Sequence, residues 1–339
     1  MEVTAAARSS SVFPVAEASQ VGEARRRVAR LGAAAGLDVD QQGRLALVIT
    51  ELGSNLVKHA GGGVLLTRAL EGRPVVEVLA VDRGPGMSNV SDCFRDGYST
   101  AGSPGTGLGA VGRLSMLVDV YSARPGGTVI MARVGAGVSR EPPGLAMEVG
   151  AVSVAKDGED VCGDGWAAAA SQDLPALMVV DGLGHGLGAA DAARLAIQAF
   201  ETGAVQPPAV QVARIHDALR GSRGAAVAVA RLDQARGVLD YAGIGNVAGV
   251  VVSRGRARHL VSSNGTAGQD RSRVQEFSYP WPSGALLVMH SDGLGSRWQL
   301  ERYPGLDRRH PSVIAAVLYR DWSRGRDDVT VVAARMGAA

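Results

Sequence analysis

Residues in the first third of the chain have the types and spacing of a nucleotide site. Glu51 and Asn55 lie four residues apart in a helical pattern, which places both side chains on one helix face, and His59 extends that line. A carboxylate and an amide that face one pocket can serve as a general base and a metal ligand. Asp82 ends an apolar run and enters a glycine turn, where its carboxylate can accept a hydrogen bond from an adenine amino group.

Glycines follow at the positions where backbone must approach a ligand. Gly84 and Gly86 belong to the turn after Asp82, and glycine lets the chain come close to a bound molecule. The run Gly105-Thr106-Gly107-Leu108-Gly109 opens a predicted helix, whose free amides favour phosphate groups. Neither glycine cluster is followed by Gly-Lys-Ser/Thr, so neither is a P-loop. The pattern therefore predicts a phosphate site of another kind.

A second group consists of aspartates beside glycines or strand ends in the C-terminal part. Its members are Asp164, Asp181, Asp292, Asp327 and Asp328. Single Asp-Gly pairs are ordinary turns, but repeated ones at strand ends indicate side chains that converge. Clustered carboxylates repel one another without a cation, and their oxygens suit Mg²⁺ or Mn²⁺. Two such ions can support in-line attack on phosphorus.

Predicted helices and strands divide the chain at a proline-containing segment. Apolar periodicity predicts helices over 17–35 and from about residue 40 to the glycines at 61–63, and a third helix from the 105–109 glycines to residue 117. The strands predicted around them are 64–70, 75–81, 117–122 and 128–134. Residues 137–144 read as a linker between domains at 1–136 and 145–339.

The pattern beyond the linker is richer in short strands, with helices packed outside. The predicted strands are 148–155, 177–180, 225–232, 238–242, 247–253, 285–290 and 329–333. The predicted helices are 188–200, 208–220 and 311–322. We therefore expect an α+β protein of two domains.

Composition narrows the classes of function. Glycine supplies 46 of 339 residues, yet 46% of the chain is hydrophobic, which is typical of a folded protein. The net charge of +2 argues against a nucleic-acid partner, and no apolar stretch predicts a membrane span. Two cysteines without metal spacing fit a reducing compartment, so we expect a cytoplasmic protein.

The N-terminal motifs, taken in order, resemble the N, G1 and G2 boxes of the GHKL ATPases. Their compact span and the sequence that follows Gly107 look like the stressosome switch kinases of the RsbT type. The resemblance implies a GHKL (Bergerat) α/β sandwich that binds ATP and Mg²⁺. It further implies that Asn55 holds Mg²⁺, Asp82 reads adenine and Glu51 is the base toward a Ser or Thr hydroxyl. The residues implied over the phosphates are Gly105, Thr106, Gly107, Leu108 and Gly109.

The C-terminal motifs resemble the SpoIIE-type metal-dependent Ser/Thr phosphatases. Asp-Gly-Leu-Gly-His-Gly from Asp181 and Ser-Asp-Gly-Leu around Asp292 carry the likeness. It implies a PPM-type α-β-β-α sandwich with two Mn²⁺ or Mg²⁺ ions, similar to the RsbX-type feedback phosphatases. Asp181 would bridge the two ions, with the Gly182 carbonyl, Asp164, Asp292 and Asp327 as further ligands. Asp328 stands where relatives often have Asn, and the resemblance leaves open which of the pair ligates. It also leaves two features open: Asn246 either supports the site or ends a plain turn, and His185 is either structural or a catalytic acid.

The two resemblances together predict a fused kinase and phosphatase. The implied substrate is a STAS-domain protein, an anti-sigma antagonist or stressosome scaffold, with a downstream signalling enzyme or anti-sigma factor as a further partner. Two alternatives stay open: a phosphatase whose N-terminal domain only binds ATP, and a module that sequesters a partner without turnover.

Overall fold

The computed structural model describes residues 9–93, 107–136, 147–171, 174–202, 205–269 and 274–337. The chain folds into two compact units. One contains Met1–Arg140 and Arg308–Arg320, and the other contains Glu141–Asp307 and Asp321–Ala339. The expected linker at 137–144 lies outside the described residues.

The N-terminal unit contains an antiparallel sheet with helices packed against it. Its strands run in the order β1-β2-β3-β5-β4 within the described ranges. They are β1 (Ser11–Val15), β2 (Gly63–Ala69), β3 (Val75–Val81), β4 (Leu117–Ala123) and β5 (Gly127–Gly135). The helices are α1 (Ala18–Ala34), α2 (Val39–Asn55), α3 (Val90–Cys93) and α4 (Gly107–Leu114). Residues 308–320, which contain most of α7 (Pro311–Trp322), belong to the same unit.

The two long helices have one apolar face each. In α2 the buried residues Leu45, Val48, Ile49 and Leu52 recur at helical spacing and join the core against the sheet. Asp38 caps this helix, because its side chain accepts a hydrogen bond from the Gln41 amide at 2.8 Å. The helices predicted over 17–35 and from residue 40 are thus present. Strand β1 was not predicted from the sequence.

The end of α2 departs from the predicted geometry. Residues Leu56–Ala60 form a π-helical turn, which ends at Gly61 with φ +70°. The wider i→i+5 turn breaks the i, i+4 line that the sequence extended from Asn55 to His59. Both His59 and Lys58 are exposed. The line that carries Glu51 and Asn55 therefore does not continue to His59.

A buried charge network lies on the sheet of this unit. Glu77 on β3 is paired in register with Arg68 on β2 and Arg133 on β5. Both guanidinium groups donate to its carboxylate at 2.9 Å, and the Ser312 hydroxyl of α7 donates at 2.8 Å. The side chain of Glu77 is 1% exposed. Its charge is thus compensated from the two neighbouring strands and from α7.

The C-terminal unit contains two five-stranded sheets, in the order β13-β10-β9-β8-β7 and β12-β11-β14-β15-β6 within the described ranges. The strands are β6 (Met147–Val154), β7 (Asp164–Ser171), β8 (Leu174–Gly182), β9 (Ala225–Asp233), β10 (Val238–Ile244), β11 (Ala248–Ser253), β12 (Arg256–His259), β13 (Glu276–Pro280), β14 (Leu286–His290) and β15 (Val329–Met336). Helices α5 (Leu187–Glu201) and α6 (Pro208–Ala218) pack against the first sheet.

Two apolar clusters account for the layers of this unit. One joins the two sheets, with Leu177, Tyr241, Leu287 and Val332 among its buried members. The other fills the space between the first sheet and its helices. The expected α+β organisation is confirmed, but β7, β12 and β13 were not predicted. Among the described residues, no helix is long and apolar enough to cross a membrane.

Candidate nucleotide and metal sites

Helix α2 and the start of α4 bring the first predicted group together. A Cβ placed on Gly107 would lie 3.9 Å from Asn55 Oδ1 and 4.0 Å from Glu51 Oε2. The amide and the carboxylate therefore face the residue that opens α4. Glu51 and Asn55 are both partly exposed, so both can reach a ligand. This geometry fits a base and a metal ligand beside a phosphate-binding helix start.

Asp82 lies just beyond the end of β3, with one carboxylate oxygen committed to the backbone. Oδ1 accepts hydrogen bonds from the Gly84 amide at 2.8 Å and the Thr128 amide at 3.1 Å. The hydrogen bonds described for this side chain leave Oδ2 able to accept from a ligand. Burial raises the pKa of Asp82 above its usual value, against the lowering effect of these two bonds. The fixed orientation suits the expected contact with an adenine amino group.

The turn after Asp82 needs its glycines for close approach. A Cβ on Gly84 would lie 2.8 Å from Ala60 Cα, and one on Gly86, at φ +73°, would lie 2.2 Å from the Ala123 carbonyl oxygen. Of the expected phosphate-covering residues, Gly107, Leu108 and Gly109 are at the start of α4. Gly105 and Thr106 lie outside the described residues.

Neighbouring strands of the C-terminal unit bring two of the predicted metal ligands face to face. Asp164, the first residue of β7, pairs in register with Asp181 near the end of β8. Burial, followed by the charges of Asp292 and Asp327, raises the pKa of Asp181 to about 7. Burial and the Asp181 charge raise the pKa of Asp164 well above its usual range. These carboxylates are therefore close enough to oppose each other's ionisation.

Asp292 follows a strand of the other sheet and lies near Asp181. We call the end of the strands that carries Asp164, Asp181 and Asp292 the carboxylate edge. The backbone amide of Asp292 donates a hydrogen bond to the Asp181 carboxylate. The Asn246 side-chain amide donates to Asp292 Oδ2 at 2.7 Å. This contact is the arrangement expected if Asn246 supports the site rather than ending a plain turn.

The two adjacent aspartates before β15 have different surroundings. Asp328 is buried, and its two oxygens accept from the backbone amides of Lys156 at 2.9 Å and Gly163 at 2.9 Å. Asp327 is exposed, and its Oδ1 accepts from the Asp328 amide at 3.0 Å. Asp328 thus ties down the segment before Asp164, whereas Asp327 has a carboxylate oxygen available for a ligand.

The donor set fits divalent cations. Asp164 is 7% exposed, and its Oδ2 is buried with no hydrogen-bond partner in the described part of the chain. A buried carboxylate oxygen without a partner is costly unless a cation compensates it. In the described ranges, no group of three or more His, Cys, Asp or Glu side chains is placed to hold a metal ion, so it is the buried oxygen of Asp164 that favours a cation.

Sequence reasoning missed a buried hydroxyl network behind these carboxylates. Ser291 donates a hydrogen bond to the Asp164 carboxylate and accepts one from the Thr330 amide at 2.9 Å. The Thr330 hydroxyl donates to Ser153 Oγ at 2.8 Å. Ser291 directly precedes Asp292, and Thr330 follows Asp328 by two residues, so these positions were the available signal.

His185 lies in the glycine-rich loop after β8. Its Nδ1 lies 2.5 Å from Glu159 Oε1, and both side chains remain partly exposed. The sequence contained no signal for Glu159 as its partner. The contact fixes the imidazole ring at the rim of the carboxylate edge.

Comparison with known proteins identifies both units. The chain is 32% identical over 99 residues to the serine/threonine-protein kinase RsbT of Bacillus subtilis (strain 168), and the match covers 29% of this chain and 74% of RsbT. The chain belongs to the RsbT family. Residues 14–134 match the histidine kinase-like ATPase domain family, and residues 171–337 match the stage II sporulation protein E (SpoIIE) family. The chain therefore joins a kinase-like ATPase domain to a PPM-type phosphatase domain, which confirms the expected fusion.

Solved structures add a further likeness. One comes from work on the bacterial stressosome as a modular system adapted to control secondary messenger signaling; it is 29% identical, with a TM-score of 0.52, over 56% of this chain and 99% of the other. A structure of RsbX in complex with magnesium is 19% identical, with a TM-score of 0.49, over 58% of this chain and 98% of the other. An ATP-binding domain and a phosphatase of this fold imply the use of nucleotide and divalent metal.

Proposed function

We propose that this chain is a partner-switching regulator that both phosphorylates and dephosphorylates a Ser or Thr of one STAS-domain protein. The pairing of Asp164 and Asp181 at one sheet edge is the observation that carries the phosphatase half. The approach of Gly107 to Glu51 and Asn55 supports the kinase half. Both sites are suited to phosphoryl groups: the N-terminal site would add one to the protein substrate, and the C-terminal site would remove it.

In the phosphatase half, Asp181 is the proposed ligand shared by two Mn²⁺ or Mg²⁺ ions. The Gly182 carbonyl, Asp164, Asp292 and Asp327 complete the proposed set. Ions bound there supply positive charge for the phosphoryl group and lower the pKa of water. Ser291 and Asn246 hold Asp164 and Asp292 in place by the hydrogen bonds described above.

In the kinase half, Asn55 is the proposed ligand of the Mg²⁺ that accompanies ATP. Asp82 accepts a hydrogen bond from adenine, and the glycines at the start of α4 lie over the phosphates. Glu51 would take the proton from the substrate hydroxyl as that oxygen bonds to the γ-phosphorus, while the bond from this phosphorus to the bridging oxygen breaks and ADP leaves. Phosphoryl transfer depends mainly on positioning and electrostatics, so the proposal needs no catalytic side chain other than this one base.

The substrate class is inferred from the relatives. The RsbT relative is a serine/threonine-protein kinase, and the 29% identical structure belongs to work on the stressosome. A STAS-domain antagonist or scaffold is the protein on which we propose both activities converge. Its phosphorylation state would then control release of an anti-sigma factor or a downstream signalling enzyme.

The proposal is tested by capture of the partner from native cells followed by labelling. The tagged chain is used to isolate its partner, and γ-labelled ATP with Mg²⁺ is then added to the complex. We expect label on a Ser or Thr of a STAS-domain protein. Hydrolysis of a phosphoserine peptide in Mn²⁺ without any transfer from ATP would instead mean that the N-terminal domain only binds nucleotide.

A further inference from the structure

An arginine outside the carboxylate cluster lies against the glycine-rich loop that follows β8. A Cβ placed on Gly188 would lie 2.6 Å from Arg223 Nε and 2.8 Å from its Cζ. A Cβ on Gly184 would lie 3.4 Å from Arg223 Nη1. The guanidinium group therefore lies directly over the loop and the first turn of α5, in space that side chains at these two positions would take.

The same arginine is at the sheet edge that holds the aspartates. Gly182, next to Asp181, pairs in register with Ala225 at the start of β9. The Leu183 amide donates to the Gly224 carbonyl at 3.0 Å, which extends the contact toward Arg223. Adjacent strands are about 4.8 Å apart. Asp181 itself pairs with Ala226 on the same strand, so Arg223 precedes the residue opposite Asp181 by three positions.

The guanidinium group of Arg223 is available to a ligand. It is exposed, and within the ranges that the structure describes it has no carboxylate partner and no hydrogen-bond acceptor. Arginines close to it in sequence are paired: Arg220 with Asp217 at 3.1 Å and Arg231 with Asp240 at 2.9 Å. The one hydrogen bond described for Arg223 uses its backbone carbonyl, which accepts from the Gln269 side-chain amide at 2.6 Å.

We propose that Arg223 binds the phosphoryl group of the phosphatase substrate. The proposal rests on the phosphatase half of the proposed function. The aspartates at this end of the strands repel a phosphate dianion, and the positive charge of Arg223 at the same end offsets that repulsion. The planar guanidinium fork matches two phosphate oxygens, which a single ammonium group does not. Gly188 leaves the space that this group occupies.

The first test measures binding of inorganic phosphate to the full chain in Mn²⁺, by calorimetry and by product inhibition of p-nitrophenyl phosphate hydrolysis. Arg223→Gln should weaken phosphate binding by about tenfold or more, the effect expected from loss of a charge-assisted bidentate contact. Arg223→Lys should be intermediate. The melting temperature and Mn²⁺ affinity should stay at the wild-type values, because the side chain is exposed and does not ligate the metal. Arg220→Gln is the matched control and should leave phosphate binding unchanged.

The second test moves the guanidinium group without removing it. Gly188→Ala adds a methyl group where Arg223 lies, in a helix that otherwise tolerates alanine. It should weaken phosphate binding in the wild-type background and have no further effect in the Arg223→Gln background. Phosphate binding within about twofold of wild type in Arg223→Gln would overturn the inference. So would a loss confined to peptide substrates, which would assign Arg223 to the peptide.

Failure of the inference and failure of the proposed function give different results. Calorimetry reads phosphate binding without turnover. A chain that binds phosphate through Arg223 but hydrolyses no phosphoserine peptide would support the inference and contradict the phosphatase proposal. A chain that hydrolyses the peptide, and whose phosphate binding is unchanged by Arg223→Gln, would support the phosphatase proposal and contradict the inference.

Discussion

Single residues carry the chemistry of both proposed sites, and Asp181 is the most informative of them. It faces Asp164 across the strand pair and accepts a hydrogen bond from the Asp292 amide. Asp181→Asn keeps the shape of the side chain but removes the charge proposed to be shared between two ions. We expect phosphatase activity in Mn²⁺ to fall at least about 100-fold, since even residues that only orient metal ligands contribute 10–100-fold.

The control for Asp181→Asn is Asp191→Asn on α5. Asp191 is exposed, and its one ion pair within the described residues is with Arg194 three residues away, at 3.4 Å. That exchange should leave hydrolysis of p-nitrophenyl phosphate and Mn²⁺ affinity unchanged. Equal activity of the two variants would remove Asp181 from the metal site.

Glu51 and Asn55 separate base chemistry from nucleotide binding in the N-terminal domain. Asn55→Ala should abolish transfer from ATP and weaken binding of ATP with Mg²⁺, because it removes the proposed metal ligand. Glu51→Ala should reduce transfer by about 100-fold, a typical general-base contribution, while nucleotide binding remains. Label transfer and nucleotide titration measure the two effects. Transfer that survives Glu51→Ala but not Asn55→Ala would show that Glu51 is not the base.

At the scale of elements, we expect the buried charge network across β2, β3 and β5 to determine how the free energy of unfolding of the N-terminal unit depends on acidic pH. Burial alone would raise the pKa of Glu77, but Arg68 and Arg133 outweigh it and hold that pKa far below its usual range. A carboxyl group with a lowered folded-state pKa stabilises above its unfolded value of about 4.3, and the contribution is lost as pH falls. The unit should therefore lose stability steeply below about pH 5.

The substitution Glu77→Gln tests the role of the buried charge network. It leaves two buried guanidinium groups without their anion, so we expect the free energy of unfolding at pH 7 to fall by about 3–5 kcal/mol. The remaining stability should depend less on pH between about 5 and 3. Glu23→Gln, at an exposed position of α1, should change it by less than about 0.5 kcal/mol. Denaturant unfolding across pH measures both. A pH profile identical to wild type in Glu77→Gln would contradict the assignment.

Sequence patterns could predict the elements with strong local signals and could not predict those that depend on distant partners. Helix α2 was predictable because Leu45, Val48, Ile49 and Leu52 repeat at helical spacing. Strand β7 was missed because its run of alanines has no strand preference of its own and is ordered by pairing with β8. The contact of Glu77 with Ser312 joins residues 235 positions apart, which no local pattern reports.

The residues of the candidate sites also fall into those that the sequence could predict and those that it could not. The aspartates and glycines stood in recognisable order, so the carboxylate edge could be anticipated from Asp181 and Asp292. Ser291 as a donor to Asp164, Glu159 as the partner of His185, and Arg223 over Gly188 could not be anticipated. Each of these depends on which strands become neighbours, and that is decided by the fold rather than by spacing along the chain.

At the scale of the whole molecule, we expect that the phosphatase activity can be measured separately from nucleotide binding. The C-terminal domain should need divalent metal but not ATP. A chelator in excess should abolish hydrolysis of a phosphoserine peptide, because the carboxylate edge needs cations to bind a phosphate dianion. Full hydrolysis without metal would contradict the assignment. Asn55→Ala should leave this hydrolysis unchanged in Mn²⁺, since we propose Asn55 as a ligand in the nucleotide site and not in the phosphatase site.

The central claim is that one chain adds phosphate to a STAS-domain protein and removes it again. The most direct measurement follows label from γ-labelled ATP on that protein in the presence of the Asp181→Asn chain. We predict that label accumulates on a Ser or Thr and then disappears when wild-type chain and Mn²⁺ are added. Absence of label with Asp181→Asn, or label that wild-type chain cannot remove, would contradict the account.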